Sequence, residues 1–268
     1  MKNLKQYISE KLVIDKNYMK LITPNSREEL RNIIIERQED IHGDDHVDFN
    51  DIDISNIDNL EHLFYKTKYT NIDVSMWDTS HVESMEFLFG RCDNLKYVDI
   101  SDWDVKKCSK FNGMFYDCGK LTKLDLSKWN MTSATNLRSM FFYCTDLKSI
   151  GDISNWNIGK AQLINTMFCM CENIEDLGDL KNWKFGNVAN AYELFQGCEK
   201  LKHIGDISSW KINYRCSTIG HMFYNCKNLN DVGDLTKWKI NPATSTDDMF
   251  EKSGLKFKIS PTNKIIKL

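Results

Sequence analysis

The tryptophans of this chain fall on a ruler. All seven stand at Trp77, Trp103, Trp129, Trp156, Trp183, Trp210 and Trp238, with spacings of 26, 26, 27, 27, 27 and 28 residues. A domain with one irregular core has no reason to space its largest side chain evenly, whereas a stack of similar units places the same residue once per unit. Self-similarity at a period of roughly 20–50 residues reads as a solenoid, in which each repeat buries its apolar face against its neighbours.

Two further ladders keep the rhythm. Phe64, Phe89, Phe115, Phe141, Phe168, Phe195, Phe223 and Phe250 recur, usually after Met or Leu. Three residues later come Cys92, Cys118, Cys144, Cys171, Cys198 and Cys226, with Thr67 and Ser253 at the two ends. Leu95, Leu121, Leu147, Ile174, Leu201 and Leu229 follow three residues beyond. Before each Phe, apolar or small residues fall seven, four and one positions back, as Ala134, Leu137 and Met140 do before Phe141. Steps of three and four make one stripe on an α-helix, so this half of the repeat is expected to be helical. Thr79 and Ser80, or Thr132 and Ser133, are its expected N-caps. The other half alternates apolar and polar, as in Val98-Asp99-Ile100 and Leu124-Asp125-Leu126, and is expected as a short strand with one buried face. From the third tryptophan onward a glycine precedes the Asp (Gly151, Gly178, Gly205, Gly233), which accounts for the longer step and suits a bulge.

The expected fold is therefore α/β: a leucine-rich-repeat solenoid of about eight strand–turn–helix coils over residues 49–254. It would carry a parallel sheet on one face and helices on the other. Residues 24–48 are expected as a helical N-terminal cap, because Ser26-Arg27-Glu28-Glu29 fits a capping box ahead of Leu30, Ile33 and Ile34. Residues 255–268 read as a capping strand and tail, with Leu255, Phe257 and Ile259 alternating. Residues 1–23 read as an amphipathic leader helix, Leu4, Tyr7, Ile8 and Leu12 forming a stripe flanked by Lys2, Lys5, Lys11 and Lys16. That helix either docks or sorts the protein, or packs on the cap and frays.

At this point the residues carry a resemblance. The stretch WDTSHVESMEFLFGRCDNL, Trp77 to Leu95, resembles the BspA-like, mycoplasma-type leucine-rich repeat, whose unit is W-D-x-S-x-V-x-x-M-x-x-M-F-x-x-C-x-x-L. The resemblance runs over about residues 49–253, and Ser26 to Phe64 is similar to the non-repeat cap of such proteins. It implies adhesion or protein recognition without chemistry, on proteins mostly found at the surface of bacteria and some protozoa, with relatives in gut bacteria and their phages. The start of this chain departs from the secreted pattern: Leu12-Val13-Ile14 is the longest apolar run before Tyr18, short of the roughly 7–15 residues of a signal peptide. No stretch approaches the roughly 20 apolar residues of a membrane span. The expected location is thus cytoplasmic, or carried in a virion.

Composition narrows the function further. A net charge of −3 leaves no electrostatic footprint for nucleic acid. Eight of the nine cysteines occupy ladder positions, Cys108 and Cys216 at the site seven before Phe, and are expected as small buried hydrophobes rather than zinc ligands or disulfides. Cys169 alone falls off the stripe and is expected to be exposed. His42, His46, His62, His81, His203 and His221 share no register, and no phosphate loop or nucleophile elbow is present. The acidic run from Glu39 to Asp53 is either a solvated cap or a divalent-cation site without the Gly of an EF-hand loop.

Two ladders remain as candidate sites. Asp73, Asp99, Asp125, Asp152, Asp179, Asp206 and Asp234 would repel at strand spacing. They either accept local hydrogen bonds from neighbours such as Ser75, Ser101 and Ser127, or form a cation row or binding face. The residue after each Trp drifts from acidic to basic: Asp78, Asp104, Asn130, Asn157, Lys184, Lys211, Lys239. Ahead of a helix the macrodipole disfavours Lys, so the three lysines reflect either drift among repeats or an edge that orients a partner. The reading is a non-enzymatic, cofactor-free protein-recognition module, a monomer in isolation, with another protein as partner and no nucleic acid or membrane span. A structural or virion component docked through its N-terminal helix, or an accessory subunit of an enzyme, are the alternatives.

Overall fold

The computed structural model describes residues 21–39 and 46–268. The apolar stripe of the expected leader helix and residues 40–45 of the acidic run, with His42, lie outside them. Among the described residues there is one α-helix, α1 (Arg27–Glu39), and the extended elements are three residues long. The expected leucine-rich-repeat solenoid of eight strand–turn–helix coils is therefore incorrect: no repeat carries an α-helix, two carry a single 3₁₀ turn before the Trp (Leu180–Asn182 and Leu235–Lys237), and the tracts assigned to helices are successions of turns.

Where the backbone hydrogen bonds go explains why. In an α-helix every N–H bonds four residues back within its own segment. Here alternate residues close four-residue turns, as Leu88 N–H does to Met85 O (3.3 Å) and Gly90 N–H to Phe87 O (3.0 Å). The residues between them donate to the next repeat: Met85 to Lys110 O (2.9 Å), Phe87 to Asn112 O (3.0 Å), Phe89 to Met114 O (2.8 Å) and Arg91 to Tyr116 O (2.6 Å). The same four-bond pattern links Leu137, Ser139, Phe141 and Tyr143 to Leu163, Asn165, Met167 and Cys169. The turns need left-handed backbone twice per repeat, four residues apart, as at Phe87 (φ 48°) and Arg91 (φ 55°) or Ser139 (φ 54°) and Tyr143 (φ 59°). A right-handed helix cannot pass through such residues. Each costs on the order of 1 kcal/mol outside glycine, a cost offset by the inter-repeat bonds it permits.

Burial follows the sequence stripe even though the helix does not. Ala134, Leu137, Met140, Phe141, Cys144 and Leu147 are all fully buried. Steps of three suit successive turns as well as they suit a helix, so the same positions point inward. The Phe rings of adjacent repeats lie nearly parallel, from Phe64–Phe89 at 5.2 Å between centroids to Phe223–Phe250 at 6.0 Å.

The Trp and Cys ladders obey one rule: a carbonyl oxygen with two lone pairs takes one donor from its own repeat and one from the next. Ile100 O accepts Trp103 N–H (3.2 Å) and the Trp129 indole N–H (3.0 Å). Leu126 O accepts Trp129 N–H and the Trp156 indole, both at 3.1 Å. Phe115 O accepts Cys118 N–H (3.2 Å) and the Cys144 thiol (3.0 Å). The Cys ladder is thus a row of weak donors as well as small hydrophobes. At the ends Thr67 and Ser253 use hydroxyls instead, donating to Phe64 O and Phe250 O of their own repeats at 2.8 and 2.7 Å.

The strand half begins as a parallel sheet of β1 (His46–Asp48), β2 (Asn71–Asp73) and β3 (Tyr97–Asp99), with Asp48, Asp73 and Asp99 in register. Farther along, single parallel bridges such as Lys123–Ser149 and Asp176–His203 continue the pairing. Ser26 caps α1, its Oγ accepting Glu29 N–H at 3.1 Å, while Glu29 reaches back to Asn25 N–H rather than to that of Ser26. At the C-terminal end β4 (Phe257–Ile259) pairs antiparallel with β5 (Ile265–Lys267), so what reads as a tail in sequence is the second strand of a hairpin. Cys169 is also corrected. It is 2 % exposed, because the turn places it under the next repeat, 3.9 Å from the Glu193 carboxylate.

Candidate functional site

The residue after each Trp is exposed in every repeat, so the seven form one edge. In the first four repeats this residue shapes its own turn. Asp78 Oδ1 accepts Ser80 N–H at 3.0 Å, Asp104 accepts Lys106 N–H at 3.0 Å, and Asn130 and Asn157 do likewise for Thr132 and Gly159. No helix follows the tryptophans, so the macrodipole argument against lysine there fails. Instead the turn-forming amide moves along the chain: Asn213 accepts Arg215 N–H at 3.0 Å and Asn241 accepts Ala243 N–H at 2.9 Å. Lys211 and Lys239 are thereby released from any local duty.

The released lysines frame a groove. Lys211 and Lys239, with Gly186, Ile212, Tyr214 and Ile240, line a shallow depression of about 600 Å³. Tyr214 is 68 % exposed, and the Arg215 guanidinium sits 5.2 Å from its ring centroid. Some lysines elsewhere pair across repeats, as Lys128 does with Asp102, Lys202 with Glu175 and Lys227 with Glu199. Lys184, Lys211 and Lys239 enter no ion pair among the described residues. The edge therefore offers uncompensated positive charge beside an exposed aromatic ring.

The Asp ladder is engaged locally. Asp73, Asp99 and Asp125 each accept both the N–H and the hydroxyl of the serine two residues on, the hydroxyls at 2.7–2.8 Å. Asp152, Asp179 and Asp206 accept the corresponding N–H, and Asp234 accepts both groups of Thr236. Hydrogen bonds from Ser127 and Thr236 hold the Asp125 and Asp234 carboxyls below the usual carboxylate range. The inserted glycines seat these acids: at Gly178 (φ 80°) a Cβ would fall 2.1 Å from Asp152 Oδ1 of the preceding repeat. Among the described residues no group of three His, Cys, Asp or Glu is placed to hold a metal ion. Trp77, Trp103, Trp129, Trp156, Trp183, Trp210 and Trp238 are all buried.

Tyr214 in the groove and Arg215 beside its ring escaped sequence reasoning because they occupy positions that differ from repeat to repeat. A ladder search keeps only what recurs. What recurs also identifies the family, since one family matches twice, over residues 38–151 and 142–263.

The chain belongs to the DUF285 family, described as Mycoplasma protein of unknown function. The two matches together span the repeats from β1 to β4. Comparison with curated proteins and with solved structures gives no match. Among the described residues no helix is long and apolar enough to cross a membrane.

Proposed function

We propose that this DUF285 protein is a non-enzymatic recognition module that docks an acidic surface of a partner protein along the edge Lys184–Lys211–Lys239. The observation that carries the reading is the pair Lys211 and Lys239, exposed and outside any ion pair at the rim of the Tyr214 groove, with Lys184 exposed at the same position one repeat earlier. Positive charge of this kind steers encounter, and an exposed Tyr with an apolar floor supplies the contact that holds it. The likeness of Trp77–Leu95 to BspA-like surface repeats supports the same class.

The test begins with cross-linking capture of the partner from the source cells. Its association is then compared for the unaltered chain and for Lys184→Glu, Lys211→Glu and Lys239→Glu combined. The triple variant should fold normally and associate more slowly, with the largest deficit at low salt, where screening is weakest. Unchanged on-rates with unchanged salt dependence retire the proposal. A concentration series by light scattering separates this reading from a structural assembly component, which would self-associate while a free module stays monomeric.

A further inference from the structure

The turn tracts of successive repeats are bonded in one sense, so the two ends of the stack differ. At the first junction the N–H groups of Leu60, His62, Phe64 and Lys66 donate to Ser84, Glu86, Leu88 and Gly90 O at 2.8–2.9 Å. At the last, Ile219, His221, Phe223 and Asn225 donate in the same way to Ser245, Asp247, Met249 and Glu251 O at 2.7–3.0 Å. The first tract is thus left with a row of carbonyls and the last with a row of N–H groups. Helix α1 covers the carbonyls. Arg27 donates to Glu61 O at 2.7 Å, and Arg31 donates to Leu63 O and, at 2.8 Å, to Tyr65 O. Among the described residues nothing accepts from the N–H groups of Thr246, Asp248, Phe250 and Lys252 at the other end.

That row keeps the shape of an interior one. Asp248 (φ 48°) and Lys252 (φ 58°) repeat the left-handed backbone of His221 (φ 53°) and Asn225 (φ 59°), so it is already ordered for pairing. The ring ladder is closed here, with Phe257 5.6 Å from Phe250 between centroids. Thr246, Asp248, Phe250, Phe257 and Ile259 line a depression of about 330 Å³. Lys256 O accepts Leu268 N–H and Ser260 N–H donates to Lys264 O, both at 2.8 Å. Antiparallel alternation then turns the main-chain groups of Phe257 and Ile259 to the edge away from β5. Unpaired main-chain edges are templates for a further chain, and donors at alternate residues select a backbone whose carbonyls recur at alternate residues. A second copy stacked head to tail does not fit, because Arg27 and Arg31 occupy its carbonyl row. We propose that this end of the stack docks a segment of a partner protein through its main chain. The carbonyls of that segment accept from Thr246, Asp248, Phe250 and Lys252, as those of the next repeat do in the interior. With the ring ladder closed, recognition falls on the backbone and tolerates varied side chains. The site is independent of the lysine edge.

The probe is the peptide ANAYELFQG, residues 189–197, whose Asn190, Tyr192, Leu194 and Gln196 carbonyls are the acceptors for the preceding repeat within the fold. Its D-enantiomer, with the same composition and a mirrored backbone, is the control. Amide-resolved NMR of the full chain should show the four terminal amides exchanging about 100-fold faster than Ile219, His221, Phe223 and Asn225. The L-peptide should shift and protect them, and the D-peptide at the same concentration should do neither. Thr246→Pro removes one donor where the preceding Ser245 is already extended in a bridge to Thr218. It should weaken the L-peptide about fivefold, the worth of one main-chain hydrogen bond, while Thr246→Val and the triple lysine variant bind it unchanged. Equal binding of the D-peptide overturns the proposal, as does sulfate that reproduces the shifts and displaces the peptide, which makes the row an anion site. Slow exchange of the four amides in the free chain also overturns it: at every dilution it means that this chain covers them, and only on concentration that a second copy does. Should Thr246→Pro fail to fold, the shifts in the unaltered chain decide alone, and shifts confined to other residues refute the site.

Discussion

Truncating Trp156 tests the rule that links adjacent repeats at a central, fully enclosed position. The side chain is 1 % exposed, and its indole N–H donates to Leu126 O in the preceding repeat at 3.1 Å. Replacing a buried aromatic by Ala costs roughly 3–5 kcal/mol. Leu126 O keeps the Trp129 N–H at 3.1 Å, so it is left with one partner rather than none, and the hydrogen-bond share of the loss is about 1 kcal/mol. Set against the roughly 5–15 kcal/mol by which a domain is stable, Trp156→Ala removes a large part of the total. Trp156→Phe separates the two contributions, since it keeps most of the ring and loses the donor, and it should cost only a fraction as much. Urea unfolding followed by far-ultraviolet circular dichroism reads both variants against Lys128→Ala, whose exposed side chain pairs with Asp102 in open water. The reasoning fails if Trp156→Ala lowers the unfolding midpoint no more than Lys128→Ala does.

The thiols give a pH prediction. Burial pushes the Cys144 and Cys169 thiols up to about 12, against about 8.5 in an unfolded chain. The unfolded chain releases these protons first, so their contribution is complete below about pH 8.5 and is lost as pH rises toward 12; the urea midpoint should fall through that window, and fall less in Cys144→Ala. All nine cysteines are buried and unpaired, so native alkylation followed by mass spectrometry should label none of them, and rapid labelling of Cys118 or Cys144 would contradict the stack. Gly178→Ala should destabilise by at least about 1 kcal/mol, being strained at φ 80° and crowding Asp152. Gly186→Ala, with nothing within 4 Å of its Cβ, should leave the thermal midpoint unchanged. Deleting residues 157–183 joins Trp156 to Lys184 in register and should yield a shorter folded chain by circular dichroism and size exclusion, since the bonding runs between adjacent repeats.

What the amino-acid order determined by itself was which side chains face inward. A period of 26–28 residues, with Trp, Phe, Cys and Leu at fixed offsets, is legible because burial demands the same residue at the same place in every repeat. The Ser26 cap on Glu29 N–H and the serine partners of the Asp ladder were legible for a related reason, since their bonds close within two or three residues. The secondary structure was not legible. Steps of three and four describe a helix and a run of four-residue turns equally well, and only bonds such as Phe89 N–H to Met114 O, 25 residues on, choose between them. The same long-range bonding buries Cys169 under the following repeat. It also assembles Lys211, Tyr214 and Lys239 into one groove. Neighbours along the stack are a whole repeat apart in sequence, so the residues that can meet a ligand become a set only when the repeats are hydrogen-bonded together.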